Sequence, residues 1–252
     1  MEEEMNTSLA NHHDHRGPLP KLPWIMKQTW RHTLFAHYPV KREILRKLVP
    51  ASLPLDSYQD TCWVSVVPYI TTSMHLRLLP PIPGTSTFAG FNVRTYVTLN
   101  GKPGVYFFSL TAANWLAANS AKAFFQLPYH HMEMKLKEGD EYVTFESRKR
   151  EGLQLVCDYK PISEPYYPKE GSLDAWLVER YCFYNISKIG IPIRCDILHQ
   201  PWELQKAEAV FHKNTSLSKY EITPENKEPI LHYAKERVVS IWPIVPVKNS
   251  RG

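Results

Sequence analysis

The sequence predicts an α+β fold of one domain in which antiparallel β-structure predominates. Segments of alternating apolar and polar residues recur along the chain, and short turns containing Asn, Asp or Gly join several of them. Helix-like segments are few, and the regular strand–helix alternation of a parallel α/β protein is absent. The chain has 252 residues, of which 43% are hydrophobic, and this is enough to bury one sizeable core.

The first elements are predicted from local patterns. Residues 1–22 are polar, His-rich and then Pro-rich, which indicates a mobile arm ahead of a single β-rich domain over residues 23–252. After Pro39, residues 40–49 place their apolar side chains on one stripe and predict a short amphipathic helix. Residues 61–69 are typical of a strand.

The strongest local pattern is a hairpin. Residues 91–99 and 105–111 alternate as strands, and an Asn-Gly-Lys-Pro-Gly connection joins them. If Asn100 pairs with Val105, one face of this hairpin is a core face. The other face then carries Asn92, Arg94, Tyr96, Thr98, Phe107, Ser109 and Thr111.

The second half of the chain is predicted as a meander followed by mixed elements. Residues 112–126 are Ala-rich and predict a helix, and Ser172 is the predicted N-cap of another helix that begins at Leu173. Glycine-containing turns separate the strands of the meander. The remaining predicted elements are strands over 129–137, 142–148, 153–160, 179–186, 193–199 and 238–242, and a helix over 201–211.

Composition excludes several classes of protein. The net charge is +5, from 30 basic and 25 acidic residues, and the basic residues are scattered, so no nucleic-acid partner is expected. No apolar run is long enough to span a bilayer, and the acidic start is not a secretory signal. A cytoplasmic protein without a membrane partner is therefore expected. Four reduced thiols follow from that compartment, at Cys62, Cys157, Cys182 and Cys195.

Conventional catalytic motifs are absent from the sequence. It contains no P-loop, no GxGxxG, no GxSxG and no HExxH pattern. His12, His13 and His15 lie together in the polar arm, but no carboxylate or Cys spacing completes a metal site around them. The sequence therefore predicts neither a metal nor a cofactor.

Three clusters could nevertheless carry chemistry, and the first two lie near the hairpin. Arg94, Tyr96 and Ser109 could hold a carboxylate, because a guanidinium makes bidentate contacts beside hydroxyl groups. Alternatively, they form the solvent face of an antiparallel sheet. Tyr129 and His130 could perform acid–base work, or His130 could be a satisfied core histidine.

The third cluster combines charged and aromatic residues from two segments. A small-molecule pocket needs apolar walls and a few oriented polar groups. The alternative is a buried structural ion pair beside an aromatic core residue. The residues concerned are Glu179, Arg180, His199 and Trp202.

Several stretches together resemble the YqjF-like family of uncharacterised bacterial proteins. That family is similar to the acetoacetate decarboxylase-like superfamily, through element order and a short Leu-Pro motif. The stretches run from about residue 24 to 243, nearly the whole chain. They are Gln28, Trp30-Arg31, 34–37 (Leu-Phe-Ala-His), 92–97 (Asn-Val-Arg-Thr-Tyr-Val), 101–110, 127–129 (Leu-Pro-Tyr), 176–177, 179–181 (Glu-Arg-Tyr), His199, Pro201-Trp202 and Leu204-Gln205.

The resemblance implies a cone-shaped β-barrel with a few flanking helices and an internal pocket. In the decarboxylase, a Pro-Lys-Lys run supplies the lysine that forms a Schiff base. Aligning the Leu-Pro motif with that run places Tyr129 at the reactive lysine and His130 beside it, and neither can form an imine. Gly90 stands where YqjF-like sequences usually carry a Glu. The presumed acid group of the family therefore has no counterpart at that position.

Three hypotheses follow for the function. The first is an internal pocket for a small carboxylate- or carbonyl-bearing metabolite, without a Schiff-base lysine. The second is a non-imine enzyme acting on a keto compound, with Tyr129 or His130 in acid–base roles. The third is a structural or interaction protein with a vestigial pocket. Lys135 shares a predicted strand face with Tyr129 and is the lysine that could restore imine chemistry.

Overall fold

The computed structural model describes residues 20–80, 86–115 and 129–248. Most of the predicted arm and most of the predicted helix over 112–126 lie outside these ranges. The described residues form twelve strands and two short α-helices. The strands are β1 Met26–Val40, β2 Cys62–Leu76, β3 Phe88–Leu99, β4 Lys102–Ala112, β5 Tyr129–His131, β6 Met134–Glu138, β7 Val143–Ser147, β8 Leu155–Pro161, β9 Cys182–Ile186, β10 Pro192–His199, β11 Gln205–Asn214 and β12 Ile230–Pro246, and the helices are α1 Arg42–Leu48 and α2 Leu173–Val178.

Seven of the strands close into a ring. They follow the order β1-β2-β3-β4-β9-β10-β12, and β12 pairs with β1 to complete the circle. Every pairing in the ring is antiparallel except that of β4 with β9. From β12 the sheet continues through β11, β8, β7 and β6. The predicted α+β fold with predominant antiparallel pairing is confirmed.

The ring has two chemically distinct faces. We call one the inner face, because every ring strand contributes a buried residue to a single cluster there. The other, the outer face, packs against α1 and the strands β6 to β8 through residues such as Leu45 and Phe145. The inner cluster also includes Leu177 of α2. The ring strands β1, β2, β3, β4, β9, β10 and β12 contribute to this cluster, in that order, Phe35, Trp63, Tyr96, Val105, Phe183, Cys195 and Val239.

Both described helices begin close to where the sequence predicts. Leu45 is fully buried on the apolar stripe of α1. The Ser172 hydroxyl accepts a hydrogen bond from the Ala175 backbone N–H at 3.2 Å, which satisfies one of the free N–H groups in the first turn of α2. The predicted N-cap is confirmed.

The register predicted for the hairpin is wrong. Leu99 pairs with Lys102, so Asn100 and Gly101 form a two-residue turn, both with positive φ (52° and 75°). The turn is therefore tighter than the five-residue connection expected, because this pair accepts the left-handed backbone of such turns. Asn100 does not pair with Val105.

A bulge then divides the hairpin. Arg94 pairs with Phe107, but Val93 pairs with Ser109, so β4 has one extra residue at this point. Arg94, Tyr96 and Phe107 share a face as predicted. Ser109 was expected on that face and instead points to the opposite one, because the bulge reverses the alternation beyond it.

Two further segments differ from prediction. The segment 201–211 was predicted to be helical, but β11 pairs with β8 and β12, and its residues alternate between half-buried and exposed. Its Ala, Glu and Lys residues favour helix locally, and sheet pairing overrides that preference. The segment 129–137 was predicted as one strand. It is divided into β5, which runs parallel to β4, and β6, which pairs with β7.

The four cysteines are buried and free, as predicted. Among the described residues, no helix is both long and apolar enough to cross a membrane.

Candidate functional site

A row of facing residues crosses the inner face of the ring. Strand register places Ile230 of β12 opposite His37 of β1, His37 opposite Ser65 of β2, Ser65 opposite Arg94 of β3, and Arg94 opposite Phe107 of β4. Directly opposed residues project from the same side of a sheet. Ile230 and Phe107 pack against the inner cluster, so the three polar residues between them also face inward.

Arg94 is a buried cation with unused hydrogen-bond donors. The residue is 9% exposed, and its guanidinium carbon lies 5.5 Å from the centroid of the Phe35 ring. Its Nε and Nη2 atoms are buried without a hydrogen-bond partner in the described part of the chain. Burial lowers the pKa of Arg94 from its usual value, and the neighbouring Tyr96 opposes this shift. Guanidinium groups remain protonated in proteins, so a positive charge faces the inside of the ring.

A hydrogen-bond chain connects Tyr96 to His37. The Tyr96 hydroxyl donates to the Leu177 carbonyl at 3.0 Å. Ser65 Oγ lies 2.6 Å from the Tyr96 hydroxyl and 2.7 Å from His37 Nδ1. Because the phenol has one proton, the arrangement that satisfies all three groups has His37 Nδ1 donating to Ser65 and Ser65 donating to Tyr96. This assignment leaves His37 Nε2 as an unprotonated acceptor.

His37 remains neutral in this environment. Its side chain is fully buried, and burial holds its pKa well below 6.5, with further lowering by His232 and Arg94. His37 Nε2 has no hydrogen-bond partner among residues that the structure describes. A neutral imidazole nitrogen and a guanidinium therefore share the inner face.

A second histidine lies beside the first. His232 of β12 pairs with Phe35, and its ring centroid is 5.4 Å from that of His37. His232 Nε2 lies 3.3 Å from Asp174 Oδ1, while its Nδ1 is buried and has no partner in the described ranges. Asp174 Oδ2 accepts a hydrogen bond from the Tyr166 hydroxyl at 2.9 Å. The hydrogen bond with His232 lowers the pKa of Asp174.

Aromatic rings form the apolar part of this region. Trp202 packs edge-on against Phe35, with centroids 5.0 Å apart, and stacks on Trp30 at 6.2 Å. The Trp63 Nε1 atom is also buried, and the described residues provide no acceptor for it. Apolar walls with a few inward-facing polar groups are typical of small-molecule sites.

The predicted Glu179–Arg180 cluster is brought together only in part. Glu179 Oε1 accepts from the Trp202 backbone N–H at 2.8 Å, and the Tyr181 hydroxyl donates to Oε2. Arg180 instead pairs with Asp56, with 2.7 Å between Nη1 and Oδ2. Glu179 therefore positions Trp202, whereas Arg180 belongs to a separate ion pair.

Arg180 and His199 lie next to the site, where each packs against aromatic rings. The Arg180 guanidinium lies over the rings of Trp176 and Tyr96, at 4.3 Å and 5.0 Å from their centroids. His199 stacks on Tyr181 at 4.7 Å and lies 5.1 Å from Trp202. Arg180 and His199 therefore each contact an aromatic residue of the inner cluster.

Two other predicted residues, Ser109 and His130, do not join this arrangement. Ser109 points to the outer face, as described above. His130 is about one-third exposed, lies 3.8 Å from Glu151 and pairs with Thr111, whose hydroxyl contacts Met134 of the outer cluster. The backbone of Tyr129 pairs with Leu110, and the side chain of Tyr129 is outside the described part.

Sequence reasoning missed His37, Ser65, His232 and Asp174 as candidate site residues. One signal for His37 was present, because it belongs to the Leu-Phe-Ala-His stretch at 34–37 that carries the family resemblance. His232 lies in β12, which begins eight residues earlier than the predicted last strand. Asp174 lies in the first turn of α2, where an acidic residue is common and carries no signal of a site.

Comparison with known proteins identifies the family. The model of the DUF2071 family, described as an uncharacterized conserved protein, matches residues 27–237. The chain belongs to the DUF2071 family. It is 44% identical over 223 residues to the uncharacterized protein YqjF of Bacillus subtilis, covering 88% of this chain and 92% of that protein.

Solved structures with the same fold are much more distant in sequence. The enduracididine biosynthesis enzyme MppR complexed with pyruvate superposes with a TM-score of 0.61 at 8% identity, over 92% of this chain and 94% of that chain. Acetoacetate decarboxylase from Legionella pneumophila has a TM-score of 0.60 at 11% identity, over 97% and 96%. These similarities show an acetoacetate decarboxylase-like fold for this DUF2071 protein.

Gly90 is closely surrounded in this DUF2071 chain. A Cβ atom there would lie 2.8 Å from the Thr111 carbonyl oxygen and 3.3 Å from the Tyr69 ring. Real Cβ atoms do not approach backbone this closely, so any larger residue at this position requires a local shift of β3 or β4. The absence of a side chain at residue 90 is thus built into the packing.

No described lysine is buried, and the described ranges contain no group of three or more His, Cys, Asp or Glu residues that could hold a metal ion. Lys135 is exposed on β6, where it pairs with Glu146. Lys102 forms an ion pair with Asp196 at 2.7 Å.

Proposed function

We propose that the inner face of the ring binds a small metabolite that bears a carboxylate, and a carbonyl beside it, with Arg94 holding the carboxylate. One observation carries this proposal. Arg94 is buried within the ring, and two of its nitrogen atoms have no hydrogen-bond partner among the described residues.

The energetics of Arg94 support a ligand. An unpaired buried charge costs several kcal/mol, and buried polar groups are normally hydrogen-bonded. A carboxylate supplies both the opposite charge and two acceptor oxygens in the geometry that a guanidinium fork prefers. The inward-facing Trp63 Nε1 adds another donor, and Phe35 and Trp202 provide apolar walls. This donor-rich surface fits an acceptor-rich ligand.

We also propose that this protein does not form imines with its ligand. An imine-forming lysine must be neutral, and burial or a neighbouring cation achieves this. No described lysine is buried, and the resemblance of the Leu-Pro motif to the Pro-Lys-Lys run implies that Tyr129 stands at the position of the reactive lysine. Borohydride treatment with acetoacetate or pyruvate should therefore leave the intact mass unchanged. A stoichiometric adduct on Lys135 or any other lysine would refute this part of the proposal.

Binding can be tested with ligand-observed NMR and calorimetry. We expect pyruvate and acetoacetate to bind the full chain, and methyl pyruvate, which lacks the free carboxylate, to bind more weakly. Arg94→Leu should reduce pyruvate affinity at least about ten-fold, the loss expected for charge-assisted hydrogen bonds. Arg94→Lys should retain part of the affinity, because it keeps the charge without the fork.

The matched control is Arg31→Leu. Arg31 is an arginine on β1 that is 40% exposed and paired with Glu236, so its loss should not change pyruvate affinity. Equal affinity of the Arg94→Leu and wild-type proteins would contradict the assignment of Arg94. If wild-type protein binds none of these acids, the alternative of a structural protein with a vestigial pocket is favoured instead.

A further inference from the structure

We propose that His232, oriented by Asp174, is a general base that removes a proton from carbon 3 of a 2-oxo acid. This inference rests on the proposed function, because Arg94 must first hold the carboxylate of that acid. It replaces Tyr129 and His130 with a different pair of residues, chosen by their positions in the ring, and it assigns a reaction class to the site.

The contact with Asp174 determines which nitrogen of His232 is free. Asp174 is an acceptor, so His232 Nε2, which lies 3.3 Å from Asp174 Oδ1, carries the proton of the neutral ring. Nδ1 is then unprotonated, and it is buried with no partner elsewhere in the described part of the chain. A carboxylate that orients an imidazole and leaves its other nitrogen free is the arrangement that general bases use.

Asp174 is itself held in place. The Tyr166 hydroxyl donates to its second oxygen at 2.9 Å, and Ser172 caps the helix on which Asp174 lies. A fixed carboxylate stabilises the imidazolium that forms when His232 accepts a proton. Asp174 is therefore a positioning residue, and His232 is the group that would touch the substrate.

Arg94 and His232 lie around the same aromatic ring. The Arg94 guanidinium is 5.5 Å from the Phe35 centroid, and His232 is the cross-strand partner of Phe35. The edge of Trp202 covers another side of Phe35. The proposal requires that a small acid held by Arg94 extends over Phe35 and brings its carbon 3 to the free imidazole nitrogen of His232.

His232 and its neighbour His37 differ in the groups that their ring nitrogens contact. The Nδ1 atom of His37 faces the hydroxyls of Ser65 and Tyr96, and within the described ranges no carboxylate is among its hydrogen-bond partners. Arg94 and His232 both disfavour a positive charge on His37, and burial disfavours it further. A proton on His37 would be unstabilised, whereas a proton on His232 is balanced by Asp174.

The proposed step needs no other reactant. The bond between carbon 3 and hydrogen breaks, and the proton moves to His232 Nδ1. The electron pair forms a double bond between carbons 2 and 3, and the carbonyl becomes an enolate oxygen whose charge lies in the field of Arg94. Reversal returns the proton to carbon 3. In D₂O, His232 exchanges its proton and returns a deuteron, so repeated cycles label the substrate.

The experiment follows the methyl signal of pyruvate by ¹H NMR in D₂O with the full chain. We expect the signal to decay faster than in buffer alone. With 2-oxobutyrate, the methylene protons on carbon 3 should exchange and the methyl protons should not. His232→Gln should bring the rate down to the buffer rate, and Asp174→Asn should lower it at least about ten-fold.

The matched control is His212→Gln. His212 forms a comparable contact with an aspartate, 2.8 Å from Asp158 Oδ2, but its side chain is about half exposed. This variant should exchange pyruvate protons at the wild-type rate. Circular dichroism establishes that each variant is folded, and if His232→Gln is not, the Asp174→Asn rate decides whether the pair acts.

The outcomes separate this inference from the proposed function. Pyruvate binding by wild-type protein without exchange would overturn the inference and leave the ligand site in place. Absence of pyruvate binding would overturn both. Exchange at the wild-type rate in folded His232→Gln or Asp174→Asn protein would mean that the His232–Asp174 contact only attaches α2 to β12, and would also overturn the inference.

Discussion

The two faces of the seven-stranded ring are made by alternate residues of the same strands, yet they differ in chemistry. On β1, Leu34 and Ala36 join the apolar outer cluster, whereas Phe35 and His37 point inward. Val64, Val66 and Val93 continue this apolar cluster on the neighbouring strands. The inner face carries buried nitrogen atoms that find no partner among the described residues. The outer face therefore contributes apolar packing, whereas the inner face combines apolar packing with buried nitrogen atoms that no described residue satisfies.

The largest stability loss should come from the outer face. Phe145 is fully buried on β7 and packs edge-on against Phe91, with 5.8 Å between ring centroids. Phe145→Ala should lower the free energy of unfolding by about 3–5 kcal/mol, since it removes apolar contacts and leaves a cavity. Urea unfolding measures this, and pyruvate affinity should be unchanged where the variant remains folded. A loss below about 1 kcal/mol would contradict the role given to this cluster.

A smaller loss is expected where the inner face is tightly packed. Gly90→Ala introduces a Cβ atom 2.8 Å from the Thr111 carbonyl oxygen, so β3 and β4 must separate locally. We expect the free energy of unfolding to fall by about 1–3 kcal/mol, the range for overpacked sites. Gly152→Ala is a poor control, because Gly152 has a positive φ of 80° and any side chain there is strained. Gly139→Ala is the better control, because its added Cβ atom lies in an exposed turn, 3.0 Å from the Tyr142 carbonyl oxygen. Equal urea midpoints for wild type and Gly90→Ala would contradict this prediction and show that β3 and β4 separate locally without loss of stability.

The sequence predicted one part of the hairpin well and another badly, for a physical reason. Alternation assigned Arg94 and Tyr96 to a common face, because period-two patterning survives any register error of an even number of residues. The bulge opposite Val93 and Arg94 adds one residue to β4 and reverses the faces beyond it. Alternation contains no signal for such an insertion, so Ser109 was placed on the wrong side.

The candidate site was hidden for a different reason. His37 and His232 are almost two hundred residues apart, and only the closure of β1 onto β12 brings them together. The family resemblance correctly implied the acetoacetate decarboxylase-like fold, but it directed attention to Tyr129 and His130 through a motif. Pairings between distant strands determine which polar groups meet inside a ring. Local sequence patterns do not predict these pairings.

The next effect, in decreasing size, is a pH dependence that comes from the inner face. The pKa of His37 is well below 6.5 in the folded protein and near 6.5 when unfolded. The stability from keeping His37 neutral is complete above pH 6.5. This contribution to the free energy of unfolding decreases by about 1.4 kcal/mol per pH unit as the pH falls from 6.5 toward the pKa of His37 in the folded protein. The reason is that His37 of the unfolded chain binds the proton first.

His37→Gln should remove this contribution. We expect the free energy of unfolding of the variant to depend less steeply on pH between 6.5 and 5.5 than that of the wild type. Urea titrations at several pH values measure the slopes, and parallel curves for wild type and His37→Gln would refute the effect.

The smallest effect on stability, and the sharpest contrast with Phe145, is expected for Arg94. Arg94→Met keeps an unbranched apolar stem and removes the buried charge, including the two nitrogen atoms that have no partner in the described part of the chain. Replacing such a group with a packed apolar side chain should leave the free energy of unfolding unchanged or raise it by about 1–2 kcal/mol. Pyruvate binding should be lost in the same protein. If Arg94 were instead a structural residue stabilised by Tyr96, Arg94→Met would lower stability by more than about 2 kcal/mol. A urea midpoint at or above that of the wild type, together with lost binding, therefore separates a residue kept for a ligand from one kept for the fold.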